Sequence, residues 1–151
     1  MQKQRVLPTA WRRRDALSVF VLSTLTCARS WAQEVATLRP GEVIELPGGR
    51  ISVLGVDIRR GTSTRVSLRL RATADAKDSW YFTNDAFRLL AGGIPRAPDV
   101  GISENSPQAH HVSRESAIDF TRVFSIADKT DDLVLQLRIG DAVERRRLPN
   151  R

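Results

Sequence analysis

Sulfur is nearly missing from this chain. Its 151 residues hold one cysteine, Cys27, and one methionine, Met1. Beyond the first thirty or so residues there is neither, which excludes disulfide staples, thiol catalysis and methionine-based copper binding there. Histidine is almost as scarce, with only His110 and His111. Long apolar runs are missing too. The least polar stretch, Ala16–Ala28, is thirteen residues long. As a helix it would span about 20 Å, short of the roughly 30 Å hydrocarbon core of a bilayer. After residue 40 no segment sustains a 3.6-residue apolar period, so an all-α domain is not expected. There is no internal repeat and no low-complexity tract.

What is present begins with a leader. Arg5, Arg12, Arg13 and Arg14 precede the apolar stretch, and Ser30-Trp31-Ala32 follows it with small residues at both positions a signal peptidase reads. That order is the secretory pattern, and it predicts a signal peptide over residues 1–32, cleaved after Ala32 rather than kept as an anchor. Arg13-Arg14-Asp15-Ala16-Leu17 faintly resembles a twin-arginine signal; an ordinary basic leader, and so Sec export, is the favoured reading. Lipid attachment at Cys27 is not expected, because Thr24-Leu25-Thr26 lacks the usual leucine and small residue before it.

Charge must be read with the leader set aside. The chain has 24 Lys/Arg against 17 Asp/Glu and a formal net charge of +7. Residues 1–32 hold six of those bases and one acid, which leaves the remainder at about +2. A nucleic-acid partner is therefore not expected, and few aromatics are present to stack on bases. The expected location is the periplasm or the extracellular space.

Past a lead-in at residues 33–40, apolar and polar residues alternate. In Ser63–Ala74, Val66, Leu68, Leu70 and Ala72 fall on one face and Arg65, Ser67, Arg69 and Arg71 on the other, as in a half-buried antiparallel strand. Gly41–Leu46 and Arg50–Arg59 read as strands around a Pro47-Gly48-Gly49 turn, with a change of parity near Gly55 that suggests a bulge. Trp80–Phe82 crowds three aromatics; Phe87 and Leu89 then alternate with Arg88, and Gly92-Gly93 supplies a tight reversal before Pro95 and Pro98. Ser116–Ile126 resumes strand character with Ile118 and Phe120 on one face and the phase of Val123, Phe124 and Ile126 unresolved. Leu133–Ile139, a Gly140-Asp141 turn and Ala142–Leu148 complete the chain. Seven or eight strands at this spacing predict an all-β, single antiparallel β-sandwich over residues 41–151, immunoglobulin-like in type.

These residues carry a resemblance. Phe87-Arg88-Leu89, followed by Gly93, Pro95 and Ala97-Pro98, then Ile118-Asp119-Phe120, then Leu133–Gly140, resembles the immunoglobulin-like extracytoplasmic domains of bacterial secreted proteins of unknown function. It extends over about residues 41–149 and includes Val66, Leu68 and Leu70 in the long strand and Leu135 and Leu137 in the penultimate one. The Asn or Ser common after the long strand is here Ala74-Asp75. The resemblance implies export and a non-enzymatic, binding-type role, and it carries no catalytic residues.

Few side chains suggest chemistry. His110 and His111 are candidate metal ligands, with Glu104 and Glu115 able to add oxygens. Adjacent strand residues point to opposite faces, so both rings reach one ion only from a bent loop, and two solvated loop histidines are the ordinary reading. Asp128, Asp131 and Asp132 lack the spacing and glycine of a calcium loop. Ser116, Asp119 and His111 supply the letters of a triad without a nucleophile elbow. Arg65, Arg69 and Arg71 together with Arg145, Arg146 and Arg147 would form a patch for an anionic partner if the two rows lay side by side; otherwise the triplet protects an exposed edge strand. The expectation is a non-enzymatic exported binding or structural module of the bacterial envelope that contacts a protein or an anionic polymer, without a cofactor and without a stable membrane span. The alternative is a periplasmic small-ligand or metal-handling protein using the 99–115 loop.

Overall fold

The structure, a computed structural model, describes residues 35–100, 109–127 and 129–150. The expected signal peptide at 1–32 lies outside that set, as do Glu104 and Asp128. The described residues form ten strands, β1 (Val43–Leu46), β2 (Gly49–Arg60), β3 (Thr64–Ala74), β4 (Trp80–Thr83), β5 (Phe87–Ala91), β6 (Ile94–Arg96), β7 (Ala109–Val112), β8 (Ala117–Ile126), β9 (Leu133–Ile139) and β10 (Ala142–Arg147). One sheet has the order β1-β2-β3-β8 and a second the order β10-β9-β5-β6; β4 and β7 make a separate pair. All these pairings are antiparallel. The chain is an all-β antiparallel sandwich.

Period-two patterning decides which faces meet. Val66, Leu68, Leu70 and Ala72 of β3 are fully buried, and Phe87, Leu89 and Ala91 of β5 and Leu133, Leu135 and Leu137 of β9 are buried with them in one core. Burying a Val, Leu or Phe side chain stabilises by roughly 1.5–3 kcal/mol, so these three strands alone supply a large share of the driving force. The expected bulge is present: Val53 faces Leu70 and Gly55 faces Arg69, which leaves Leu54 extra. After it Val56 and Ile58 return to the inner face opposite Leu68 and Val66.

Turn chemistry matches the hairpins. Pro47-Gly48 joins β1 to β2, with φ +88° at Gly48 as a type II turn requires. Gly92 and Gly93, at φ +56° and +83°, join β5 to β6, the pattern of a type I′ turn.

Two expectations need correction. The described residues hold ten strands where seven or eight are expected, because β4, β6 and β7 are only three or four residues long and show too few alternations to be read. Residues 109–112, expected in a loop, form β7 and pair with the aromatic stretch of β4. The lead-in also packs on the domain. Leu38 is buried, its N–H donates to the Arg147 carbonyl at 2.7 Å, and the Arg147 N–H donates to the Ala36 carbonyl at 2.8 Å.

Phe87 is 1% exposed, with Phe82 and Phe120 ring centroids 5.9 and 5.7 Å away. Phe87→Ala should therefore lower stability by about 3–5 kcal/mol, read as a shift in the urea midpoint at unchanged slope.

Candidate functional site

The outer faces of the two sheets carry different chemistry. On the first sheet, Arg71 meets Asp119 across strands in a two-point ion pair, Nε–Oδ1 2.6 Å and Nη2–Oδ2 2.9 Å. The paired hydrogen bond holds the Asp119 carboxyl below its usual range and raises Arg71. Arg69 lies over Gly55, where a Cβ would fall 2.8 Å from its Nη2. Arg65 sits opposite Arg59, which is bonded to Asp57 at 2.9 Å. Carboxylates are thus interspersed with this row.

The second sheet also gathers arginines, two of them beside carboxylates. Arg88 of β5 and Arg145 of β10 are both direct cross-strand partners of Gln136 on β9. Neighbouring strands are about 4.8 Å apart, so the Cα atoms of these two arginines lie about 10 Å apart. Arg138 and Arg147 share that face by parity. Arg145 Nε donates to Gln136 Oε1 at 3.0 Å. Arg88 Nη2 donates to Asp85 Oδ1 at 2.7 Å, and Arg147 approaches Asp132 only to 3.8 Å. Arg138 makes no ion pair among the described residues.

Where β5 and β9 approach the 3₁₀ turn Asn84–Ala86, the face opens into a cleft of about 650 Å³. Tyr81, Thr83, Arg88, Gln136, Arg138 and Ile139 are among its walls. Tyr81 is 62% exposed, while its neighbours Trp80 and Phe82 turn into the core. This lining offers guanidinium and amide donors, two hydroxyls, an aromatic face and, at Asp85, a carboxylate.

The condition for a single arginine patch, two rows side by side, is not met. Arg65, Arg69 and Arg71 lie on the outer face of the first sheet, whereas Arg145 and Arg147 lie on the outer face of the second. Arg146 faces the other way. Its Nε donates to Glu42 Oε1 at 2.5 Å and its Nη1 to Glu144 Oε2 at 2.9 Å, tying the approach to β1 to β10. These hydrogen bonds, that to Glu42 foremost, raise the Arg146 guanidinium above its ordinary value.

The histidines diverge. His110 is 6% exposed and stacks near Phe82 and Phe120, with ring centroids 5.1 and 4.5 Å away, while His111 is exposed on the opposite face of β7. Glu115 is exposed, and no group of three or more His, Cys, Asp or Glu side chains converges among the described residues. Asp131 is bonded to Arg60.

Sequence reading missed Arg122. It is fully buried on the inner face of β8, with its guanidinium carbon 4.9 Å from the Phe87 ring centroid and 4.7 Å from that of Phe120. Its Nη1 also donates to the Thr121 carbonyl at 3.2 Å. Burial pushes Arg122 down to about 10. The signal was available: the inward parity of Ile118 and Phe120 runs through residue 122, but Val123 beside it, buried as well, obscured the phase.

No protein-family model matches the chain, and no curated protein matches it. Solved structures share its fold. The yjhA protein of Bacillus subtilis superposes with a TM-score of 0.59 at 10% identity, over 74% of this chain and 99% of that one. The ycdA protein of Bacillus subtilis, a candidate lipoprotein, gives 0.59 at 9% identity over 75% of this chain, which spans 39% of that longer protein. MPT63, a secreted protein of Mycobacterium tuberculosis, gives 0.55 at 8% identity over 77% and 99%. At these identities the likeness concerns the β-sandwich alone.

Burial, and then the nearby Arg122 charge, push His110 down to about 4 from the ordinary 6.5. The folded state therefore resists protonating this ring while the unfolded chain does not. Its contribution to stability is complete above pH 6.5, falls as pH drops from 6.5 towards 4, and is level below that. The loss is on the order of 3 kcal/mol. Unfolding titrations should show His110→Gln losing less stability than the parent across that window.

Proposed function

We propose that this chain is an exported, non-enzymatic binding module of the bacterial envelope, immunoglobulin-like in type, which holds an envelope component against the outer face of its second sheet. The observation that carries this reading is the cleft at Arg88, Gln136 and Arg138, on a sheet face that also bears Arg145 and Arg147. It presents hydrogen-bond donors and positive charge, and a surface of that kind recognises an anionic partner by complementarity and not by chemistry performed on it. Several features support the reading. The leader has the order of an export signal. Two of the structural neighbours are described as a secreted protein and a candidate lipoprotein. Asp119, the one triad letter with an acidic role, is held by both its oxygens on Arg71.

Among the described residues no helix is long and apolar enough to cross a membrane. The module therefore meets the envelope, on this reading, through surface contacts rather than a helical span of the sandwich.

Two measurements test the proposal together. Fractionation of a bacterial host expressing the full chain should find it outside the cytoplasm with an N-terminus at Gln33. Washed envelopes should retain it at low salt and release it as salt rises, because exposed charge contacts are screened over about 8 Å at physiological ionic strength. Arg138→Glu combined with Arg145→Glu should weaken retention. A chain that stays cytoplasmic with residues 1–32 intact, or retention that ignores both salt and the double substitution, would overturn the reading.

A further inference from the structure

We infer that the cleft on the second sheet is a saccharide-binding site, and that its ligand is an acidic polysaccharide. This rests on the reading of the chain as an exported binding module and narrows it to one ligand class.

The argument starts from the mixed character of the walls. Thr83 and Gln136 offer hydroxyl and amide groups, Arg88 and Arg138 offer guanidinium, and Tyr81 and Ile139 offer apolar surface in the same cleft. A sugar ring is amphiphilic in the same way, with C–H groups on its faces and hydroxyls around its rim. Tyr81 suits the ring face because its side chain is exposed at the cleft and is rigid, with an apolar body and a polar tip. Gln136 has its carbonyl oxygen engaged by Arg145, so its amide hydrogens remain to donate to a hydroxyl.

Charge then selects the acidic member of the class. Arg138 stands in the cleft wall with no ion pair among the described residues, and its planar fork matches a carboxylate or phosphate. Arg88 is bonded to Asp85, an exposed carboxylate that also lines the cleft, so the wall carries two guanidinium groups against one carboxylate. The fit to a polymer comes from the direction in which charge continues. Past Gln136 the face carries Arg145 and then Arg147, so acidic groups on successive residues of a chain would meet further guanidinium groups. A cleft of about 650 Å³ that stays open to solvent accommodates a segment of a longer molecule passing through.

Other anionic partners fit less well. A lipid surface calls for several apolar side chains projecting beyond the rim, and on the four strands of this face the exposed large apolar residue is Val143, with Ile94 at the β5–β6 reversal. An acidic peptide would use the arginines but has no need of an aromatic wall with hydroxyl and amide donors beside it.

The test uses the full chain, ¹⁵N-labelled, titrated with oligogalacturonate as the acidic saccharide. Neutral dextran, polyglutamate and phosphatidylglycerol vesicles are the comparison probes. Oligogalacturonate is expected to shift the Tyr81, Gln136 and Arg138 resonances and to leave those of the Arg71 row unmoved. Arg138→Ala should weaken binding at least tenfold, and Tyr81→Ala should weaken it severalfold while folding is unchanged by circular dichroism. Arg71→Ala, on the opposite face, should change nothing. If polyglutamate or the vesicles bind as tightly and Tyr81→Ala has no effect, the saccharide inference falls while the anion-binding module stands. If none of the anionic probes shifts the cleft resonances, the inference and the binding role of this face fall together.

Discussion

One contact governs the rest: the inner face of β3 against β5 and β9. Val66, Leu68 and Leu70 leave no surface to water, and they meet Phe87, Leu89, Leu135 and Leu137 from the opposing sheet in a single core. Side chains alternate along a strand, so fixing which residues enter the core also fixes which leave it. A one-residue slip of β3 would bring Arg65, Arg69 and Arg71 into the interior, at a cost no part of this core could offset. The two outer surfaces of the sandwich are therefore set by the packing of its inside.

Those surfaces then differ because of strand order. On the first sheet, β3 pairs with β8 and brings Asp119 beside Arg71, so charge is neutralised locally. On the second, β9 stands between β5 and β10 and brings Arg88 and Arg145 to either side of an uncharged Gln136. Guanidinium groups gather there with Asp85 and Asp132 among them, and the adjoining turn at Asn84–Ala86 opens the cleft beside them.

Much of this was legible in the chain itself. The alternation in residues 63–74, the glycine pair at 92–93 and the parity change at Gly55 each report a local event, and each matches an observed strand, turn or bulge. The full strand order was not legible: the Gly140-Asp141 turn places Arg145 beside Gln136, but Arg88 is joined to Gln136 by a long-range pairing that no local pattern encodes. Arg145, Arg146 and Arg147 read as one group only until strand parity is applied, which turns Arg146 away from the other two, towards Glu42. Short strands hid as well: His110 and His111 look like loop residues until β4 is there to pair with them. Arg122 is a different case. Parity pointed inward, and the polarity of arginine argued against following it.

The buried end of the sandwich answers how such a residue is tolerated. Arg122 is flanked by the Phe87 and Phe120 rings, whose faces attract a cation, and His110 beside it stays neutral. Desolvation is thereby limited to one charge where two would repel.

The central claim is the order β10-β9-β5, since both the core and the arginine-bearing face follow from it. Nuclear Overhauser spectroscopy tests it at one residue. Gln136 should show backbone cross-strand contacts to Arg88 on one side and to Arg145 on the other. Contacts from Gln136 to only one of them, or contacts from Arg145 to the Arg65–Arg71 row of β3, would contradict the account.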